Sequence, residues 1–130
     1  VGDLDAAVQD GLALHGADGF RPGDVVLTNH TGTCGQHLNN VAMYTPVFNP
    51  EGELAAFMLV VMHWLDVGGQ VVGSITKYAS DIFQEGIQFR SVKLWSRGKP
   101  MRDISARFAP LPPRSAFIEP SPSAFLFPKE

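Results

Sequence analysis

Several features are scarce or missing in this chain of 130 residues, and each absence narrows what it can be. Cys34 is the single cysteine, so no internal disulfide can staple the fold, and a reducing, cytoplasmic setting is expected. Lys and Arg never cluster, and 10 basic residues against 13 acidic ones leave a formal net charge of -3. Binding a phosphate backbone needs a basic patch, so no nucleic-acid partner is expected. The longest apolar stretch, Leu54 to Leu65, is shorter than a bilayer span and contains His63, so no membrane partner is expected either. The acidic N-terminus shows no secretory leader. Neither Gly-rich stretch ends in Gly-Lys-Ser/Thr, so a phosphate loop of that type is absent. There are no internal repeats.

What is present points to a packed domain. Hydrophobic residues make up 45% and charged residues 18%, a balance that supports a core. Leu4, Ala7, Val8, Gly11, Leu12 and His15 recur at three- and four-residue spacing, the mark of a helix with one buried face. Asp3 is a candidate N-cap, and Gly16 stands where a helix-ending glycine belongs. The turn Arg21-Pro22-Gly23-Asp24 leads into a strand at Val25 to Thr28, followed by a Gly-rich loop. Val41 to Phe48 reads as a second strand, with Pro46 marking an edge or a bulge. Asn49-Pro50-Glu51-Gly52 then makes a hairpin turn into a third strand, Leu54 to Leu65. The near-continuous apolar character of that strand predicts burial on both faces. Gly68 and Gly69 imply a positive φ or a close backbone approach. A short turn over Asp81 to Gly86, a fourth strand over Ile87 to Trp95, a turn at Ser96 to Pro100 and a helix start at Met101 to Arg107 complete the pattern. The expected class is α+β, mainly antiparallel strands with an N-terminal helix. Residues 1–107 form the domain. Residues 108–130, where six of the ten prolines are interleaved with Phe117, Phe125 and Phe127, are expected to be an irregular tail.

The chemistry concentrates in Thr28 to Val41, "TNHTGTCGQHLNNV", which holds two of the four histidines and three asparagines. His37 lies just before the second strand and His63 at the end of the third. Partners far from a hairpin turn meet again at its open end, so His37 and His63 are predicted to lie together. Imidazoles so placed could bind a divalent metal, with His30 as a third candidate. They could equally cap a turn and sit beside the core. Asp66, three residues past His63, could ligate, orient an imidazole or serve as a turn residue before two glycines. Glu85 is a candidate general acid or base, or a capping residue. Cys34 as a nucleophile would need a base and a lowered pKa that a loop does not supply.

These words in order, "RPGDVVLTNH…CGQHLNNV…YTPVF…GELAAF…HWLDVGG…GS…DIFQEGIQF…VKL", resemble the hydantoinase B/oxoprolinase family from about Phe20 to Lys99. That family includes B subunits of ATP-dependent hydantoinase and caprolactamase, the B portion of 5-oxoprolinase, and subunits of acetone and acetophenone carboxylases. His37 and Leu38 match its His-Leu-Pro-Asp, with Asn39 for the proline and Asn40 for the aspartate. His63 keeps the first histidine of His-His-Ala-Asp-Val-Gly-Gly, with Trp64 in place of the second. Asn29 keeps the asparagine of Asn-Asp-Pro-Tyr and His30 replaces its aspartate, while Cys34 stands where the family has a turn glycine. Gly73-Ser74 and Gln84-Glu85-Gly86 also match. The resemblance implies a divalent metal, zinc or manganese, held by His37, Asn40 and His63, with His30 substituting for a missing acidic ligand. It implies a fragment of a larger subunit that supports ATP-dependent hydrolysis of a cyclic amide (a hydantoin, 5-oxoproline or a lactam), inactive by itself. The partners implied are a hydantoinase A-like ATP-binding subunit, in a hetero-oligomer, and a small-molecule substrate. Support of a ketone carboxylase, or a non-catalytic interaction role, is the alternative.

Overall fold

A computed structural model describes residues 3–34, 37–73 and 77–105. Helix α1, Asp3–His15, opens the chain. Its apolar face turns inward as the spacing predicts: Ala7 and Val8 are buried, and Leu12 packs against buried Val8, Phe20, Val26 and Tyr44. Gly16 ends the helix at φ +70°, its N–H reaching the Leu12 carbonyl at 2.8 Å. Asp3 is the first helical residue, not the residue before the helix, a one-position difference of the kind helix ends show.

Five strands make up the rest of the frame: β1 Val25–Thr28, β2 Asn40–Phe48, β3 Leu54–His63, β4 Val92–Ser96 and β5 Lys99–Pro100. They form one sheet in the order β3-β2-β1-β4-β5, every pair antiparallel. The α+β expectation holds. Short helices α2, Thr31–Cys34, and α3, Arg102–Ser105, complete the pattern with 3-10 turns at Ala17–Gly19 and Ile82–Gln84. The Gly-rich loop after β1 thus contains one helical turn, held by the Thr33 N–H and hydroxyl on the His30 carbonyl.

Alternation along β1 and β2 sends side chains to two cores. Val26 and Tyr44 join Val8 and Phe20 under α1, while Leu27 and Val41 join Leu38 and Val67 on the opposite face. The central strands are therefore covered on both sides. The third strand is not. β3 ends at His63 and lies at the sheet's edge, with Met58 64% and Val60 49% exposed, so the expectation of two buried faces fails. Apolar composition records what a strand can bury. Its position in the sheet decides what covers it.

Pro46 sits in interior strand β2, beyond the last residue paired with β1 and beside a bulge at Val47/Phe48, so the bulge half of that expectation is correct. The fourth strand is shorter than expected. Ile87 to Ser91 is irregular because its carbonyls bond side chains, Asn29 Nδ2 to Ile87 and Thr28 Oγ1 to Phe89, and no strand pairing forms there. Gly68 has φ +82°, and a Cβ at Gly69 would collide with the Glu85 carbonyl, so each glycine meets one of the two reasons expected. The tail over 108–130, Arg107 of the expected last helix and Ser74 lie outside the described residues.

Candidate functional site

The site is built where β2 begins and β3 ends. Leu38, fully buried, anchors the approach, and its carbonyl accepts from Asn29 Nδ2 at 2.8 Å. A tight turn comes next, closed by the Asn40 N–H on the His37 carbonyl at 3.1 Å. Asn40 then pairs with His63 in the β2–β3 ladder. The result is the juxtaposition that hairpin logic predicts: His37 Nε2 and His63 Nε2 lie 3.1 Å apart, with ring centroids 5.2 Å apart and planes at 67°. One ring donates and the other accepts, depending on tautomer. His37 is half-buried and His63 exposed, so the pair opens to solvent.

The other candidates fall elsewhere. His30 folds back under its own turn, with its ring carbon Cε1 2.7 Å from where a Cβ on Gly32 would be. Its Nδ1 is buried without a hydrogen-bond partner. Asp66 Oδ1 accepts from the Gly68 N–H at 2.7 Å, the turn geometry of an Asp before glycines. Glu85 ends the 3-10 turn, and its Oε2 is buried without a partner. An isolated bridge between Gly68 and Gly86 joins the two segments that carry Asp66 and Glu85. Among the described residues no three of His, Cys, Asp and Glu converge to hold a metal ion. The donor set is the two imidazoles, with Asn40 as the neighbouring amide. Cys34 ends α2, and its side chain lies outside the described residues.

Sequence reasoning named Asn29 but missed what it does. Its Nδ2 donates to the Leu38 and Ile87 carbonyls at 2.8 and 2.9 Å, and its Oδ1 accepts from the Phe89 N–H at 2.6 Å. One buried amide thus ties β1 to the turn before β2 and to the segment before β4. Asn39 and Asp24 were missed as well. The available signal was an Asn or Asp beside an apolar run at a strand end, where unpaired backbone groups need side-chain partners.

Charge elsewhere stabilises the frame. Hydrogen bonds from Arg90 lower the Asp10 pKa most, burial opposes them, and the Ser91 hydroxyl adds to the lowering. The Arg90 pKa rises for the same reason. For Asp24, burial pushes the pKa up, but Lys93 Nζ at 2.7 Å and the N–H groups of Arg97 and Arg21 together bring it down.

Fold and site together describe an α+β unit carrying a solvent-facing imidazole pair. The chain belongs to the hydantoinase B/oxoprolinase family, whose model matches residues 1–112. Caprolactamase subunit beta of Pseudomonas jessenii is 34% identical over 87 residues, 67% of this chain and 15% of that protein. The 5-oxoprolinase of Dictyostelium discoideum is 33% identical over 98 residues, 75% of this chain and 8% of that protein. In structure, the ATP-dependent caprolactamase of Pseudomonas jessenii superposes with a TM-score of 0.74 at 32% identity, over 82% of this chain and 18% of that one. A nucleotide-free acetone carboxylase shares the fold, with a TM-score of 0.67 at 23% identity over 78% of this chain and 14% of that one. The chain therefore spans less than a fifth of the length of these relatives. No described helix is long and apolar enough to cross a membrane.

Proposed function

We propose that the chain supplies two histidine ligands, His37 and His63, to a divalent metal site of a hydantoinase B-type subunit. The observation that carries this reading is the 3.1 Å between their Nε2 atoms. Two imidazole nitrogens on one zinc, each about 2.1 Å from it at a tetrahedral angle, stand about 3.4 Å apart, close to that separation. Zinc fits the pair by charge and ligand type, and manganese would draw more on the amide oxygen of Asn40. Such an ion supplies Lewis-acid polarisation of a carbonyl or a lowered pKa for bound water.

The residues divide the remaining work. His37 and His63 hold the ion, and Asn40, paired to His63, offers a neutral amide oxygen beside them. Asp66 shapes the turn just after His63. Glu85, with a buried carboxylate oxygen lacking a donor, is the acid/base candidate. His30 is a ligand only if its ring leaves its place under Gly32. The reaction supported is ATP-dependent opening of a cyclic amide such as a hydantoin, 5-oxoproline or a lactam. A hydantoinase A-like ATP-binding subunit is the partner, in the cytoplasm. The relatives named for caprolactam and 5-oxoproline support the substrate class. One observation favours a second reading, an interaction subunit without catalysis: two imidazoles are a short ligand set for a resident ion.

Dialysis of the protein against zinc or manganese, with metal analysis afterwards, tests the primary reading. About one ion per chain is expected, falling to background in His37→Ala and His63→Ala. Asn40→Asp should tighten binding, since a carboxylate is the better ligand for a dication. No bound ion in the wild-type chain would leave the interaction reading.

A further inference from the structure

We infer that Asn39 is the positioning residue of the histidine pair, a clamp that keeps His63 in front of His37. That the pair binds metal rests on the function proposed above; the clamp itself rests on geometry. Asn39 is 1% exposed. Its carbonyl accepts the Trp64 N–H at 2.8 Å, and its side-chain Nδ2 donates to the Trp64 carbonyl at 2.6 Å. One residue thus holds both backbone polar groups of the residue directly after His63. The Trp64 side chain packs against the cluster of Leu27, Leu38, Val41 and Val67, which fixes the far side of the same residue.

The need for a clamp arises from where His63 sits. It is the last residue of an edge strand, paired on one side only, through Asn40. Strand ends fray unless something ties down the next residue. His37 is already fixed by buried Leu38 and the turn to Asn40. Only the His63 half of the pair depends on the placement of Trp64, and Asn39 holds Trp64. Backbone bonding alone would leave the Trp64 carbonyl without this donor, and the direction of the chain at His63 would loosen.

Asn39→Ala and the near-isosteric Asn39→Asp, whose carboxylate cannot donate, are the test variants, made in the full chain. Nuclear Overhauser contacts between the His37 and His63 rings, read without metal, report the pair directly. Zinc affinity by titration is the second readout. Wild-type protein should show the ring contact, and both variants should lose it and bind zinc at least tenfold more weakly. Val26→Ala, in the core under α1, is the control: it should lower stability while leaving ring contact and zinc affinity unchanged. Asn39→Asp decides if Asn39→Ala does not fold. Ring contact and affinity retained in a folded Asn39 variant would overturn the inference. Were zinc not to bind wild-type protein while the ring contact still depended on Asn39, the metal reading would fall and the clamp would stand.

Discussion

The two ends of the sheet solve opposite problems. Where β1 begins, Asp24 is fully buried, yet its carboxylate is satisfied by Lys93 Nζ and by the Arg21 and Arg97 N–H groups, and its own carbonyl accepts from the Thr45 hydroxyl. Where β1 ends, the polar side chains divide. Asn29 and Asn39 turn inward to hold backbone, and His37 and His63 are left facing each other and the solvent. The first end uses charge to join the turn before β1 to the β4–β5 hairpin, with a neutral bond from Thr45 tying in β2. The second uses neutral amides for that task and leaves its imidazoles bonded to each other at a solvent-facing edge. A polar group with every bond used inside the protein contributes to stability. One whose bond faces solvent can exchange it for a ligand.

The sharpest way to break this contrast is at Asp24. Asp24→Ala leaves two backbone N–H groups without their acceptor and the Lys93 ammonium with only the Gly19 carbonyl, and removing the carboxylate of a largely buried ion pair costs about 3 kcal/mol. Urea unfolding should show a large fall in the midpoint. A loss under about 1 kcal/mol would mean that water replaces the carboxylate.

Acid should sharpen it next. Asp24 and Asp10 both have pKa values lowered in the folded state. Each therefore contributes stability that is complete above about pH 4, the unfolded carboxyl value, and is lost as pH falls through the folded value. Unfolding midpoints measured downward from pH 5 should drop, less steeply in Asp10→Asn, which retains only the Asp24 contribution. An unchanged slope in that variant would show that Asp10 is not one of the linked groups.

The smallest effect is expected at the other end. His63→Ala removes an exposed side chain and should change stability by no more than about 0.5 kcal/mol in metal-free protein. A cost comparable to that of Asp24→Ala would make His63 part of the frame and erase the difference between the two ends.

Legibility in the sequence divides along the same line. The helix face of α1, the hairpin turn at Asn49 to Gly52 and the class of fold are periodic or local features, and all were readable. The meeting of His37 and His63 was readable as well, since hairpin pairing is arithmetic once the turn is placed. The place of β3 in the sheet was not, because an apolar strand looks the same at the centre and at the edge. Nor was the fate of His30, whereas the turn role of Asp66 was one of the readings its sequence offered. His30 lies seven residues before His37, yet the turn at Gly32 takes its side chain.

By itself, then, the sequence determined helix α1, strands β1 and β2 with the hairpin turn, the family and the two histidines, because periodicity, turn chemistry and hairpin register act over short stretches of chain. Tertiary structure alone decided which polar residues hold the frame and which face the solvent. Asn29 reaches Ile87 and Phe89, and Asp24 reaches Lys93. Those partners lie 58 to 69 residues away along the chain, and only folding brings their donors and acceptors within bonding distance.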